Sequence, residues 1–126
     1  MVKIYLSHLC DYAAILHDGK PAIIGIFDEI ISKSKPIVRN FSIIFSIIPQ
    51  DTNSHKTGIK IKSPSGKEVG KPLEGNLGPA SRKDKKIGMI INVERLKLEE
   101  EGEYTIEISI DGEVVETLPL RLIIQD

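Results

Sequence analysis

Leu96-Lys97-Leu98-Glu99-Glu100-Glu101-Gly102-Glu103-Tyr104-Thr105-Ile106-Glu107-Ile108-Ser109-Ile110-Asp111-Gly112 is the stretch on which the fold class turns. From Tyr104 the apolar residues fall on every second position, with Tyr104, Ile106, Ile108 and Ile110 on one side and Glu103, Thr105, Glu107 and Ser109 on the other. That period of two belongs to a strand with one buried face. Asp111-Gly112 then supplies the turn chemistry that joins antiparallel strands, because glycine takes positive φ at no steric cost. Glu113 to Ile124 reads as the return strand, with Pro119 placing it at a sheet edge or at a bulge.

Outward from this ending the same pattern recurs. Ile87, Met89, Ile91 and Val93 alternate, as do Thr57, Ile59 and Ile61, and Phe41 to Ile48 is a strongly apolar strand candidate. At the start, Val2, Ile4, Leu6, His8, Cys10, Tyr12, Ala14 and Leu16 share one face of a long strand. Leu9, Ala13 and Ile15 make its other face partly apolar, which predicts a bulge or a change of orientation midway. Asp18-Gly19-Lys20 turns it into a second arm over Pro21 to Ser32, where Gly25 and β-branched crowding favour strand over helix. Lys67 to Lys86 is rich in Gly, Pro and Lys and is expected to be a long basic loop, with a short edge strand at Glu68–Val69.

Seven to eight strands with regular turn signals predict an all-β, two-sheet antiparallel sandwich of the immunoglobulin-like kind, a single domain over 1–126. Leu98…Gly102-Glu103-Tyr104 has the form of the tyrosine corner of such sandwiches, in which a tyrosine opening a late strand bonds back to the preceding connection. The other reading of Tyr104 is a plain core aromatic.

Composition bounds function more than it defines it. A net charge of −1 provides no whole-molecule attraction to nucleic acid or to an anionic membrane. Charge is nonetheless uneven along the chain: Ser54 to Lys86 carries nine Lys or Arg against three Asp or Glu, and Glu94 to Glu116 two against nine. This is the pattern of two solvated surfaces of opposite sign, or of complementary docking patches. The single cysteine, Cys10, excludes an internal disulfide and agrees with a reducing, cytoplasmic compartment. The apolar run after Met1 is broken too early for a signal peptide, and no segment reaches the roughly 20 apolar residues of a membrane span.

His8, Cys10 and Asp11 are the residue types of an activated thiol, and with His17 and His55 they could be imagined as metal ligands. The spacing fits neither. His8 and Cys10 share a strand face with aliphatics, and neither paired cysteines nor a spaced histidine pair exists. Ser65-Gly66-Lys67 lacks the earlier glycine of a phosphate loop, and Gly75-Asn76-Leu77-Gly78 lacks the strand-to-helix setting of a dinucleotide site. Neither enzyme activity nor a cofactor or metal is expected. The basic segment Lys67, Lys71, Arg82, Lys83, Lys85 and Lys86 could contact phosphates but has no aromatic residues to stack bases, so a protein or a second copy, rather than nucleic acid, is the expected partner.

Cys10-Asp11-Tyr12-Ala13, Asp18-Gly19-Lys20 and Ile24-Gly25-Ile26-Phe27-Asp28, with the terminal Gly102-Glu103-Tyr104, resemble a family of small bacterial proteins of unknown function. The resemblance implies a bacterial, single-domain sandwich and provides no activity. It singles out Asp11, Asp18, Lys20 and Asp28, with Gly19 and Gly25. These residues shape turns and strand irregularities, or the polar ones form a recognition patch at one end of the sandwich. The leading expectation is a non-catalytic interaction module; the alternative is a structural subunit that pairs through exposed strand edges.

Overall fold

The computed structural model describes residues 3–82 and 85–125. Nine strands follow in order: β1 (Lys3–Ile15), β2 (Pro21–Phe27), β3 (Glu29–Ser32), β4 (Ile37–Ile48), β5 (His55–Lys62), β6 (Leu73–Leu77), β7 (Ile87–Leu98), β8 (Gly102–Ile110) and β9 (Glu113–Ile124). They form two sheets, one ordered β2-β1-β4-β7 and the other β3-β9-β8-β5-β6. The alternation in β4 and β8 determines how the sheets meet. Phe41, Ile43, Phe45 and Ile47 of β4 and Tyr104, Ile106, Ile108 and Ile110 of β8 all enter one buried core, joined by Ile59, Leu77, Val93, Leu98 and Leu120. Phe27 and Phe41 close one side edge-to-face, their ring centres 5.8 Å apart.

Three expectations are corrected. The sandwich is not wholly antiparallel, because β3 runs parallel to β9 over Glu29–Arg121 to Ser32–Ile124. The second hairpin arm is not one strand. It leaves the first sheet after Phe27 and enters the second at Glu29, so a run that looks continuous in sequence is divided at Asp28 between two layers. Finally, 67–86 is not all loop. Leu73–Leu77 pairs with β5 as an edge strand, and at the expected Glu68–Val69 strand there is only a single bridge, Lys62 to Glu68. With β3 and β6 counted, the described residues form nine strands.

Pro119 obeys the expected edge rule in a local sense. β9 lies inside its sheet, but β3 accompanies it only from Arg121 onward. The Arg121 amide donates to the Asp28 carbonyl on that side at 2.8 Å, so Pro119, two residues earlier, aims its missing N–H at the same side, where no strand waits.

Tyr104 is a tyrosine corner. Its side chain is buried, its hydroxyl donates to the Glu100 carbonyl at 2.7 Å, and it accepts the Glu100 amide at 2.9 Å. Burial pushes its phenol upward, so it stays a neutral donor. This closure, the β3–β9 parallel pair and the two-sheet strand order are those of an immunoglobulin-like sandwich.

Candidate functional site

β1 stays beside β4 only as far as Cys10, opposite Ser42; from Tyr12 to Ile15 its one neighbour is β2. The end of the β1–β2 hairpin is therefore a two-stranded ribbon extending beyond the four-stranded sheet. Its turn is built locally. The Gly19 amide donates to Leu16 O and the Leu16 amide to Lys20 O, both at 2.8 Å, with Gly19 at φ 88°. Asp18 Oδ1 accepts the Lys20 amide at 3.2 Å and Oδ2 sits 3.6 Å from Lys20 Nζ, an exposed pair that contributes little to stability.

The ribbon's root is bent where sequence alternation becomes ambiguous. Gly25 has φ +72°, and a Cβ there would stand 2.9 Å from Asp11 Cγ, so the carboxylate lies directly on the glycine backbone. Beyond this point the faces exchange. Cys10 and Ile44 lie on the side of the sheet away from the core, and it is Ala13 and Ile23, not Tyr12, that join them in a second small buried cluster. Tyr12, expected on the Cys10 face, instead stands 56% exposed opposite Ile24, itself 62% exposed. Ile15, Leu16 and Ile26 are exposed on the same arm. At its base a groove of about 340 Å³ is lined by Asp11, Phe27, Glu29, Ile31, Arg39 and Asn40.

The four positions expected as a patch are not gathered. Asp18 and Lys20 occupy the ribbon tip, Asp11 its root, and Asp28 the crossing between sheets, eight residues of extended chain or about 25 Å from Lys20. Asp28 acts through its carbonyl, which accepts the Arg121 amide. The basic segment is divided too. Lys67 closes the Ser63–Lys67 turn near Glu100, whereas Lys85 and Lys86 precede β7 at the opposite end, with β6 between them. Lys71 lines a groove with Leu73 and Arg95, Arg82 accepts the Lys85 amide through its carbonyl, and Lys86 Nζ stands 3.6 Å from the Tyr5 ring centre. Lys83 lies outside the described residues.

His8, Cys10 and Asp11 are not assembled as a nucleophilic site. Cys10 is fully buried, its Sγ donating to the Ser42 carbonyl at 3.7 Å. Burial first and the Asp11 charge second push the thiol above its ordinary value, the reverse of activation. Among the described residues no three His, Cys, Asp or Glu side chains converge as a metal-binding group.

One cluster was not visible in the sequence. His55 Nδ1 lies 2.6 Å from Asp111 Oδ2 and Nε2 lies 2.9 Å from Asp51 Oδ1, with the imidazole only 12% exposed. Asp111, at φ 52°, also accepts the Lys56 amide through Oδ1 and donates its own amide to Lys56 O. Asp111 first and Asp51 second raise His55 above its ordinary value, which favours the protonated ring, and through the two carboxylates the ring clips the β4–β5 connection to the β8–β9 turn. Asp111 is held low chiefly by His55, and Asp51 chiefly by the Asn53 amide. Only the four-residue spacing of Asp51 and His55 was legible; Asp111 is 56 positions away.

An immunoglobulin-like sandwich bearing a protruding, apolar β-ribbon is the class of object these features define. The chain belongs to DUF6941, a family of unknown function, whose model matches residues 6–123. No curated protein matches it. Among solved structures it is similar to part of the Pseudomonas fluorescens alkylpurine DNA glycosylase AlkC bound to DNA containing an abasic site analog, at 11% identity and a TM-score of 0.55. That similarity covers 97% of this chain and 30% of the glycosylase, so the chain spans under a third of that protein's length. An immunoglobulin-like protein from Pseudomonas aeruginosa is also similar, at 12% identity and a TM-score of 0.43, covering 97% of this chain and 96% of the other.

Proposed function

We propose that this chain is a non-catalytic interaction module, acting in the cytoplasm, whose β1–β2 ribbon docks an apolar surface of a partner protein. The observation that carries this reading is the Tyr12–Ile24 cross-strand pair, both side chains more than half exposed on one face of a ribbon that leaves its sheet. A two-stranded hairpin is marginal in water without a covered face. Large apolar side chains clustered on such an arm are a recurrent mark of a protein contact, and fully burying each is worth about 1.5–3 kcal/mol. Docking is side-on rather than by strand addition. β2 starts at Pro21, which has no amide to offer, and Gly25 breaks its edge, two devices that oppose pairing of an edge strand.

The likeness to part of a DNA-bound glycosylase is one of fold and is not extended to a nucleic-acid ligand. The basic residues here are divided between opposite ends of the sandwich, and no aromatic residue accompanies them on 67–86 for stacking. The test is a photo-crosslinking residue placed at Ile24, with Val114, an exposed apolar residue on β9, as the control position. In native cells the Ile24 site should give a discrete adduct with a different protein, lost when Tyr12→Asp is added, and the Val114 site should not. Equal labelling from both positions, or none from Ile24, would sink the proposal.

A further inference from the structure

The two sheets have four edge strands, and three are guarded. β2 carries Pro21 and the Gly25 irregularity, β3 is four residues long, and β6 is five residues long with Glu74 and Gly75 inside it. β7 is different. Among the described residues it pairs with β4 alone, and from Ile87 to Val93 it has neither a proline nor a charge. Its irregularity, Arg95 at φ 54°, comes only after this run. Long, uncharged edges of this kind are templates for another strand, and most proteins protect them.

The sequence around the run says which strand. Lys86-Ile87-Gly88-Met89-Ile90-Ile91-Asn92-Val93-Glu94 is uncharged across seven residues and closed by opposite charges at equal distance from Ile90. We infer that β7 is a self-complementary dimer edge, pairing antiparallel with β7 of a second copy of this chain about a two-fold axis at Ile90. In that register Ile90 meets the partner's Ile90, Met89 the partner's Ile91, Gly88 the partner's Asn92 and Ile87 the partner's Val93. Lys86 meets the partner's Glu94 at both ends. Directly opposed residues in an antiparallel pair share a face. The register satisfies this, since Ile87, Met89, Ile91 and Val93 all pack toward the core, while Gly88, Ile90 and Asn92 have the opposite parity. Glu94 is exposed and forms no ion pair among the described residues, while Lys86, also exposed, holds its ammonium 3.6 Å from the ring centre of Tyr5 on β1, a contact it exchanges for the partner's Glu94 in the dimer. Two copies so joined make one eight-stranded sheet with an isologous, closed interface. The inference uses a different edge from the ribbon and stands whether or not the ribbon has a partner.

Sedimentation velocity on the wild-type chain, on Lys86→Glu and on Glu94→Lys tests it, with circular dichroism confirming that each variant is folded. The wild type should dimerise reversibly. Each variant replaces both interfacial ion pairs with like charges and should raise the dissociation constant about tenfold or more. An equimolar mixture of the two variants should recover the dimer, because the heterodimer has two opposite-charge pairs; a mere folding defect would not be rescued by mixing. The alternate amides of Ile87 to Val93 that face the open edge rather than β4 should exchange more slowly in the dimer. A wild-type chain that stays monomeric up to about 100 μM, or variants that dimerise like the wild type, or a mixture no tighter than its components, would overturn the inference.

Discussion

Removing one oxygen from the tyrosine corner tests how the β7–β8 connection is held. In Tyr104→Phe the ring keeps its place among Leu98, Ile106 and Leu120, so the packing is unchanged and only the hydroxyl is lost. That hydroxyl serves one residue twice, donating to Glu100 O at 2.7 Å and accepting Glu100 N at 2.9 Å. A neutral hydrogen bond is worth about 0.5–1.5 kcal/mol net, so losing two costs about 1–3 kcal/mol. The half-buried position of Glu100 lets water reach the freed groups and draws the expected value to the middle of that range, near 2 kcal/mol. Urea denaturation should show this loss as a lower midpoint at unchanged slope. The melting temperature should fall by about 4 °C for each kcal/mol at this chain length. Amide exchange at Glu100 should accelerate in the variant while that at Ile106 and Ile108, deep in β8, keeps pace only with the global change. A loss under about 0.5 kcal/mol would mean that the corner does not hold the connection and that the ring alone accounts for Tyr104.

Further outcomes follow from the other sites. At His55, the folded state favours the protonated ring, so its contribution is complete below the ordinary value of 6.5 and is lost as pH rises through the raised native one. Asp51 and Asp111 have lowered values, so their contribution is present above the ordinary 3.8 and is lost as pH falls through the native ones. Urea titrations should accordingly show a stability plateau between those limits, and His55→Gln should flatten its alkaline side; an unchanged profile would refute the clip. Gly25→Ala should destabilise by about 1–3 kcal/mol, combining strain at φ +72° with collision against Asp11. Adding Asp11→Ala should recover the collision part and leave the strain, and full additivity of the two changes would contradict the contact. Cys10 should resist alkylation in native protein and react only at the rate of unfolding, measured by mass against time; immediate labelling would contradict its burial.

What the sequence determined by itself was everything carried by neighbouring residues. The alternation through Tyr104–Ile110 established a strand with one buried face, Asp18-Gly19 and Asp111-Gly112 marked the two hairpin turns, and the Gly102-Glu103-Tyr104 spacing offered the tyrosine corner that the hydrogen bonds of Glu100 confirm. These features depend on side-chain period and on turn chemistry, both local. What the tertiary structure decided was pairing. Glu29–Ser32 has no sequence mark that sends it across to lie parallel with β9. Leu73–Leu77 has only its two leucines as large apolar residues, too few in five positions to mark a strand in sequence, and it becomes one by pairing with β5. Tyr12 leaves the face that alternation assigns it because Gly25, packed on Asp11, turns the ribbon over. His55 and Asp111 meet because β5 and β8 are neighbours, 56 positions apart in the chain. That β7 is an open edge is likewise a property of which strands remain without a second neighbour. Periodicity is written residue by residue along the chain, whereas an edge, a crossing or an ion-paired histidine exists only once distant segments have chosen their neighbours.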